Sequence, residues 1–254
     1  MTRHAIALLL LAGLLSGCAT RHMLGVPFAD LGKAGLINDP EQVSRLEKSI
    51  TDGEIAKLLD LDVRAKLPTS LAVAKLRSEC PAYQPHLVRI DADEMQTWEK
   101  IASKHKRVLG VQPVSNLSMG NSLGEPRLTL RSLRVAAARL HCELLLVYMQ
   151  GDSAVDNFND AAVLYWSVVG LWLVPGNELA HKTVMQAILV DCRTGIILGT
   201  ATGSSHKKRL SPAAFADIHE EQLAGAAGVE ALAGLHEGTD ELLGQVISQA
   251  VAKR

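Results

Sequence analysis

Serine with polar neighbours occurs at Gly151-Asp152-Ser153 and at Gly203-Ser204-Ser205-His206. Neither has the G-x-S-x-G spacing that presents a nucleophile on a strained strand-to-helix turn, so both read as turns. His219-Glu220-Glu221 and His236-Glu237-Gly238 are fragments of a zinc motif. No second histidine follows four residues later, as H-E-x-x-H needs to set two ligands on one helical face, and exposed helix positions account for both. Asp152, Asp156 and Asp160, with Asn157 and Asn159 between them, offer oxygens of the kind calcium takes. The glycine and bidentate glutamate of an EF-hand loop are out of register, so residues 152–160 are expected to be a polar loop. Gly32-Lys33 lacks the partner glycine and hydroxyl of a phosphate loop. These fragments name no catalytic residue, no metal ligand and no cofactor.

The residue that does point to chemistry is Cys18. Arg3 and His4 open the chain, residues 5–15 are almost wholly apolar, and Leu15-Ser16-Gly17-Cys18 follows. A basic start, a short apolar segment and small residues before a cleavage point make a secretory leader. Its ending in cysteine is the bacterial lipobox, in which the thiol takes diacylglycerol and becomes the first residue after cleavage. Each buried acyl CH₂ contributes about 0.8 kcal/mol, so several chains hold a protein on a membrane that it does not cross. Ala19, rather than Asp, follows the cysteine. The expected address is therefore the periplasmic face of the outer membrane.

Three further cysteines, Cys80, Cys142 and Cys192, would then share a compartment that permits disulfides, and one of them must stay unpaired. If the strand opening at Cys142 lies antiparallel beside the strand closing at Cys192, those two thiols meet and Cys80 stays free. Three buried, reduced thiols are the other reading.

Stepping outward, residues 128–205 must position whatever the chain presents. Leu130, Leu133, Ala137 and Leu140 recur at helical spacing, with Arg131, Arg134 and Arg139 elsewhere on the helix. Residues 142–150 follow almost without a loop as a continuous apolar run ending at Gly151-Asp152, which reads as a strand covered on both faces. Residues 182–191 and 196–203 flank Cys192-Arg193-Thr194-Gly195, a hairpin with Gly195 at positive φ.

Between these elements, residues 158–176 hold Phe158, Tyr165, Trp166 and Trp172, four of the nine aromatic Phe, Trp and Tyr residues. Residues 161–174 are too few to span a bilayer as a helix, which takes about 20 apolar residues. They are either core or a surface for membrane or partner, a boundary that Trp and Tyr suit. Tyr165-Trp166-Ser167-Val168-Val169-Gly170, Pro175-Gly176-Asn177, Thr183-Val184-Met185 and Val190-Asp191-Cys192-Arg193 resemble the blocks of the bacterial rhombotarget lipoproteins. The hairpin and the helix before it resemble, more loosely, the curli-export and penicillin-binding-protein-activator lipoproteins. The resemblance implies an envelope lipoprotein with no known activity.

Upstream, residues 18–40 mix glycine and proline without a period and read as a tether, after a leader of residues 1–17. Residues 41–254 are expected to form one α/β (α+β) domain, a single mixed sheet with packed helices in the order β-α-β-α-β, then a β-hairpin and C-terminal helices. Strands are expected at 68–76 and 107–114, with a short piece near 86–91. Asp93-Glu94 opens a helix that ends in basic residues at 104–107, matching the helix dipole. Beyond the basic run His206-Lys207-Lys208-Arg209, Pro212 opens a helix, Gly225 and Gly228 weaken it, Gly238 breaks it, and Thr239 starts a last one.

With 26 basic against 27 acidic residues and a net charge of −1, nucleic acid gains no support as a partner. The favoured function is a non-enzymatic binding or assembly component of the envelope. It is anchored by lipid and meets another envelope protein or its own copies through Tyr165, Trp166 and Trp172. An oligomeric export pore is the alternative, opposed by residues 163–174 being apolar on both strand parities. A periplasmic hydrolase using the 152–160 loop comes third.

Overall fold

In the computed structural model, the residues described are 59–60, 65–77, 85–119, 128–159, 172 and 174–252. Cys18, Cys80, Asp160, Tyr165 and Trp166, with the leader and tether, lie outside them. The described residues divide into two compact units. The larger takes in residues 59–151, 183–205 and 228–252; the smaller takes in residues 152–182 and 206–227.

The expected mixed sheet with packed helices is present. Its strands are β1 (Thr69–Arg77), β2 (His86–Val88), β3 (Val108–Pro113), β4 (Cys142–Phe158), β5 (Asn177–Asp191) and β6 (Ile197–Ser211). Their order is β2-β1-β4-β5-β6, with β3 also on β1. β1 runs parallel to β3 and β4 and antiparallel to β2. The helices are α1 (Ala92–Lys104), the one-turn α2 (Asn116–Met119), α3 (Leu130–Arg139) and α4 (Ala216–Ala252), with a 3-10 turn at Ala213–Phe215.

In the larger unit the central strands are apolar on both parities and are covered twice. Leu71, Val73, Leu144, Leu146, Ala187 and Leu189 face Trp98 and Ile101 of α1 and Ala231, Leu235 and Leu243 of α4. The alternate residues Ala72, Ala74, Leu145, Val147, Ile188 and Val190 face Leu133, Ala136 and Ala137 of α3. Asp91 caps α1 by accepting from the Glu94 N–H at 2.8 Å. Thr129 and Ser132 form a reciprocal capping box on α3, at 3.1 and 3.0 Å. The closure of α3 into β4 turns on His141 at φ 57°, a left-handed position that histidine adopts more readily than most residues. Gly195 sits at φ 80° in the β5–β6 turn, as expected there.

Three expectations need correction. The strand opening at Cys142 does not stop at Gly151-Asp152 but runs on to Phe158, because β5 begins at Asn177 and keeps it company. A backbone bond from Asn159 N–H to Gly176 C=O at 2.7 Å closes that far end. The basic run at 206–209 likewise lies within β6 and not beyond it. Finally, the C-terminal helices are one unbroken helix of 37 residues. Gly234 and Gly238 let it lie close on β6, and Gly203 of β6 admits it: a Cβ on Gly203 would meet the Ala231 carbonyl oxygen at 1.9 Å and the Leu235 nitrogen at 2.4 Å. Across the same contact, a Cβ on Gly234 would sit 3.3 Å from the Gly203 Cα, and one on Gly238 3.4 Å from the Ala201 Cβ.

Gly203→Ala forces backbone apart and should destabilise the fold by about 3 kcal/mol or more in chemical denaturation. Gly225→Ala, where a Cβ meets nothing within 4 Å, should instead stabilise by about 0.5–1 kcal/mol through helix propensity. Equal effects of the two substitutions would show that the approach at Gly203 does not matter.

Candidate functional site

Of the residues named from the sequence as a contact surface, Trp172 is described. It lies 54% exposed in the smaller unit, its ring edge-on to Phe215 at 5.5 Å. Phe215 in turn lies 6.1 Å from the His219 ring, and His219 Nδ1 is 2.7 Å from the Ser211 hydroxyl. His219 is therefore held by a neighbour and not idle on a helix surface. Ile218, beside it in the chain, is 54% exposed. Asp152 and Asp156, expected in a loop, lie on β4, and Asp152 Oδ1 is 3.3 Å from His181 Nε2. In the same unit Asp217, Glu220, Glu221 and Ala224 wall a hollow of about 360 Å³. Among the described residues no three His, Cys, Asp or Glu side chains converge as a metal ion would require.

The structure brings Cys142 and Cys192 to one end of the larger unit. The Cys192 N–H donates to the Glu143 carbonyl at 2.9 Å, and both cysteines belong to the apolar cluster under α3. Around them Arg134 donates to the Cys192 carbonyl from Nε and Nη2 at 3.0 and 2.9 Å and to the Arg193 carbonyl at 2.9 Å. Arg193 forks onto the Glu143 carboxylate. Asp191 accepts from the N–H groups of Arg193 at 2.8 Å and Ala65 at 3.1 Å. Burial pushes the Cys142 thiol up to about 11. Burial, then the neighbouring Cys142 and Asp191, pushes Cys192 up to about 12. Both are free thiols in this structure, and both are poor nucleophiles, since it is the thiolate that reacts.

A second constellation in the larger unit was not found from the sequence. Lys75 of β1 and Tyr148 of β4 are partners in register. From α1, Glu94 inserts between them, its carboxylate accepting from the Lys75 ammonium at 2.6 Å and from the Tyr148 hydroxyl. One helical turn on, Trp98 lies fully buried against the Tyr148 ring at 5.5 Å, and its other side meets the His236 ring of α4 at 4.3 Å, edge-on. Trp98 Nε1 and His236 Nε2 are buried without a hydrogen bond. The pair is enclosed: the Glu94 side chain is 3% exposed and that of Lys75 23%. A nearly enclosed carboxylate already held by an ammonium and a phenol locks elements together. Beside it Lys104 and His105 grip Asp240, one turn beyond His236 on α4, with His105 Nε2 at 2.8 Å. The Lys104 contact, chiefly, holds the Asp240 carboxyl below its usual range.

Comparison with family models finds no match for the chain, and comparison with curated protein sequences finds none. Among solved structures, the C-terminal domain of LpoB from Salmonella enterica is similar at 14% identity, over 59% of this chain and 91% of that one, with a TM-score of 0.27. Lipoprotein GNA1162 from Neisseria meningitidis is similar at 13% identity, over 63% and 97%, with a TM-score of 0.28. A DUF330-family protein from Xanthomonas campestris is similar at 10% identity, over 73% and 89%, with a TM-score of 0.29. Likenesses at such scores decide neither family nor activity.

Glu94→Ala should cost about 3–5 kcal/mol in denaturation, since it leaves a lysine without its buried partner, and Tyr148→Phe about 1 kcal/mol. Burial, chiefly, lowers the His236 pKa below 6.5, so the neutral ring is the folded form. Its contribution to stability is complete above about pH 6.5 and fades as pH falls. His236→Phe should therefore lose less stability than the parent between pH 7 and pH 5; equal losses would remove His236 from the account.

Proposed function

We propose that this chain is a lipoprotein held at the periplasmic face of the outer membrane, working by binding and assembly and not by catalysis. The observation that carries the reading is Leu15-Ser16-Gly17-Cys18 closing a basic and apolar leader. Under it residues 1–17 are removed, residues 18–40 are a tether, and the remainder is a periplasmic domain. No helix among the described residues is long and apolar enough to cross a membrane, so attachment there falls to lipid on Cys18. The blocks between Tyr165 and Arg193 that resemble rhombotarget lipoproteins support the same address.

The contact surface in this reading is the aromatic run of Tyr165, Trp166 and Trp172. A ring that is half exposed, as Trp172 is, contributes more at an interface than in solvent. In the oxidising periplasm Cys142 and Cys192 close as a disulfide, two thiols giving one S–S bond with two protons and two electrons passing to a disulfide oxidoreductase.

Labelled palmitate should enter the parent chain and not Cys18→Ser, which should also leave the membrane fraction. A Cys18→Ser chain that fractionates unchanged would remove the address. Non-reducing peptide mapping should join Cys142 to Cys192 and leave Cys80 alone; a bridge from Cys80 to either would refute the pairing.

A further inference from the structure

Within the larger unit, α3 and α4 cover opposite faces of the sheet and turn outer faces of opposite charge to solvent. On α3, Arg131, Val135, Ala138 and Arg139 are exposed, Val135 by 43%, and the helix has no acidic residue. These positions recur at four, seven and eight residues from Arg131, so they share one side of the helix. Arg134 is turned away to the β5–β6 turn, while Arg139 lends one nitrogen to the Ser118 carbonyl at 3.1 Å. On α4, Val229, Ala233, Glu237 and Glu241 are exposed, Val229 by 72%, and residues 228–252 contain neither lysine nor arginine. Each helix thus presents exposed apolar residues together with its own charges of one sign, and Lys104 of α1 is already engaged by Asp240 on the flank of α4.

We infer that these faces dock on each other between copies: the arginine-rimmed face of α3 in one molecule seats on the glutamate-rimmed face of α4 in the next. The proposal gives the assembly role above a partner of stated chemistry, a second copy of this chain, and rests on that role. Charge complementarity selects this occupant. The net charge is only −1, so the signs are segregated rather than in excess, and each face finds its complement on the same sequence. Like on like would set arginines against arginines or glutamates against glutamates, which disfavours a two-fold contact. The two faces lie across the sheet from each other, so one molecule cannot join them. The contact is therefore head-to-tail and repeats into a ring or a filament. With little apolar area at its centre, it depends on charge and weakens with salt.

The test is sedimentation of the lipidated chain in detergent micelles across a range of concentrations. At about 50 mM salt the mass should rise with concentration, and at about 500 mM it should fall back, as screening shortens to a few ångström. Arg131→Glu with Arg139→Glu, and separately Glu237→Arg with Glu241→Arg, should each raise the dissociation constant about tenfold or more. Mixing the two variants restores both kinds of junction, reversed and native, so assembly should return; a merely misfolded variant would not be rescued. A parent chain that is monomeric at every concentration, or variants that assemble as the parent does, would overturn the inference. If such a monomer still captured another envelope protein from detergent extracts, the assembly role would stand and self-docking alone would fall.

Discussion

A strand that is apolar on both faces must be covered twice, and that constraint organises this chain. Residues 71–74 of β1 are at most 1% exposed, and the facing stretch of β4 is nearly as dry. Neither strand tolerates solvent on either side, so α1 and α4 close one face and α3 the other. The hydrophobic effect is roughly proportional to the apolar area removed, and it does not specify how the coverings meet. That is left to particular contacts: the glycines of β6 and α4, the capping box of α3, and a glutamate threaded between a lysine and a tyrosine.

Local pattern made much of this legible. The boundaries of α1 and α3, the run of β4 from Cys142 and the turn at Gly195 follow from period, caps and charge polarity within a few residues of each other in sequence. Where the reading failed, the deciding partner was remote. Gly151-Asp152 looks like a stop until β5 extends beside it. Gly238 looks like a break in a helix until Ala201 of β6 is seen to lie against it, as Gly203 lies against Gly234. A glycine in a helix costs about 1 kcal/mol in isolation, and close packing offsets that cost only where a second backbone comes near enough.

The candidate sites divide in the same way. The neighbourhood of Cys142 and Cys192 was readable because it depends on one adjacency, the start of one strand beside the end of another. The Lys75, Glu94, Trp98, Tyr148 and His236 cluster was not, because its members come from β1, α1, β4 and α4 and carry no spacing that links them. Glu94 in particular passed as an ordinary first-turn acid on a helix, which its position also explains. Its burial follows from where α1 packs on the sheet, which the sequence does not encode locally.

The run His206-Lys207-Lys208-Arg209 has a meaning that follows from its strand. β6 ends the order of described strands, and Thr202, Ser204, His206, Lys208 and Leu210 alternate outward along it. The last strand of a sheet is a template on which a stranger's backbone can add, the route by which extended chains stack into fibrils. Lys207, Lys208 and Arg209 in succession make that addition self-repelling, since a second such strand laid antiparallel alongside would bring cation to cation. Among the described residues this edge is thus guarded by charge, which opposes the stacking of one copy on another into insoluble ribbons.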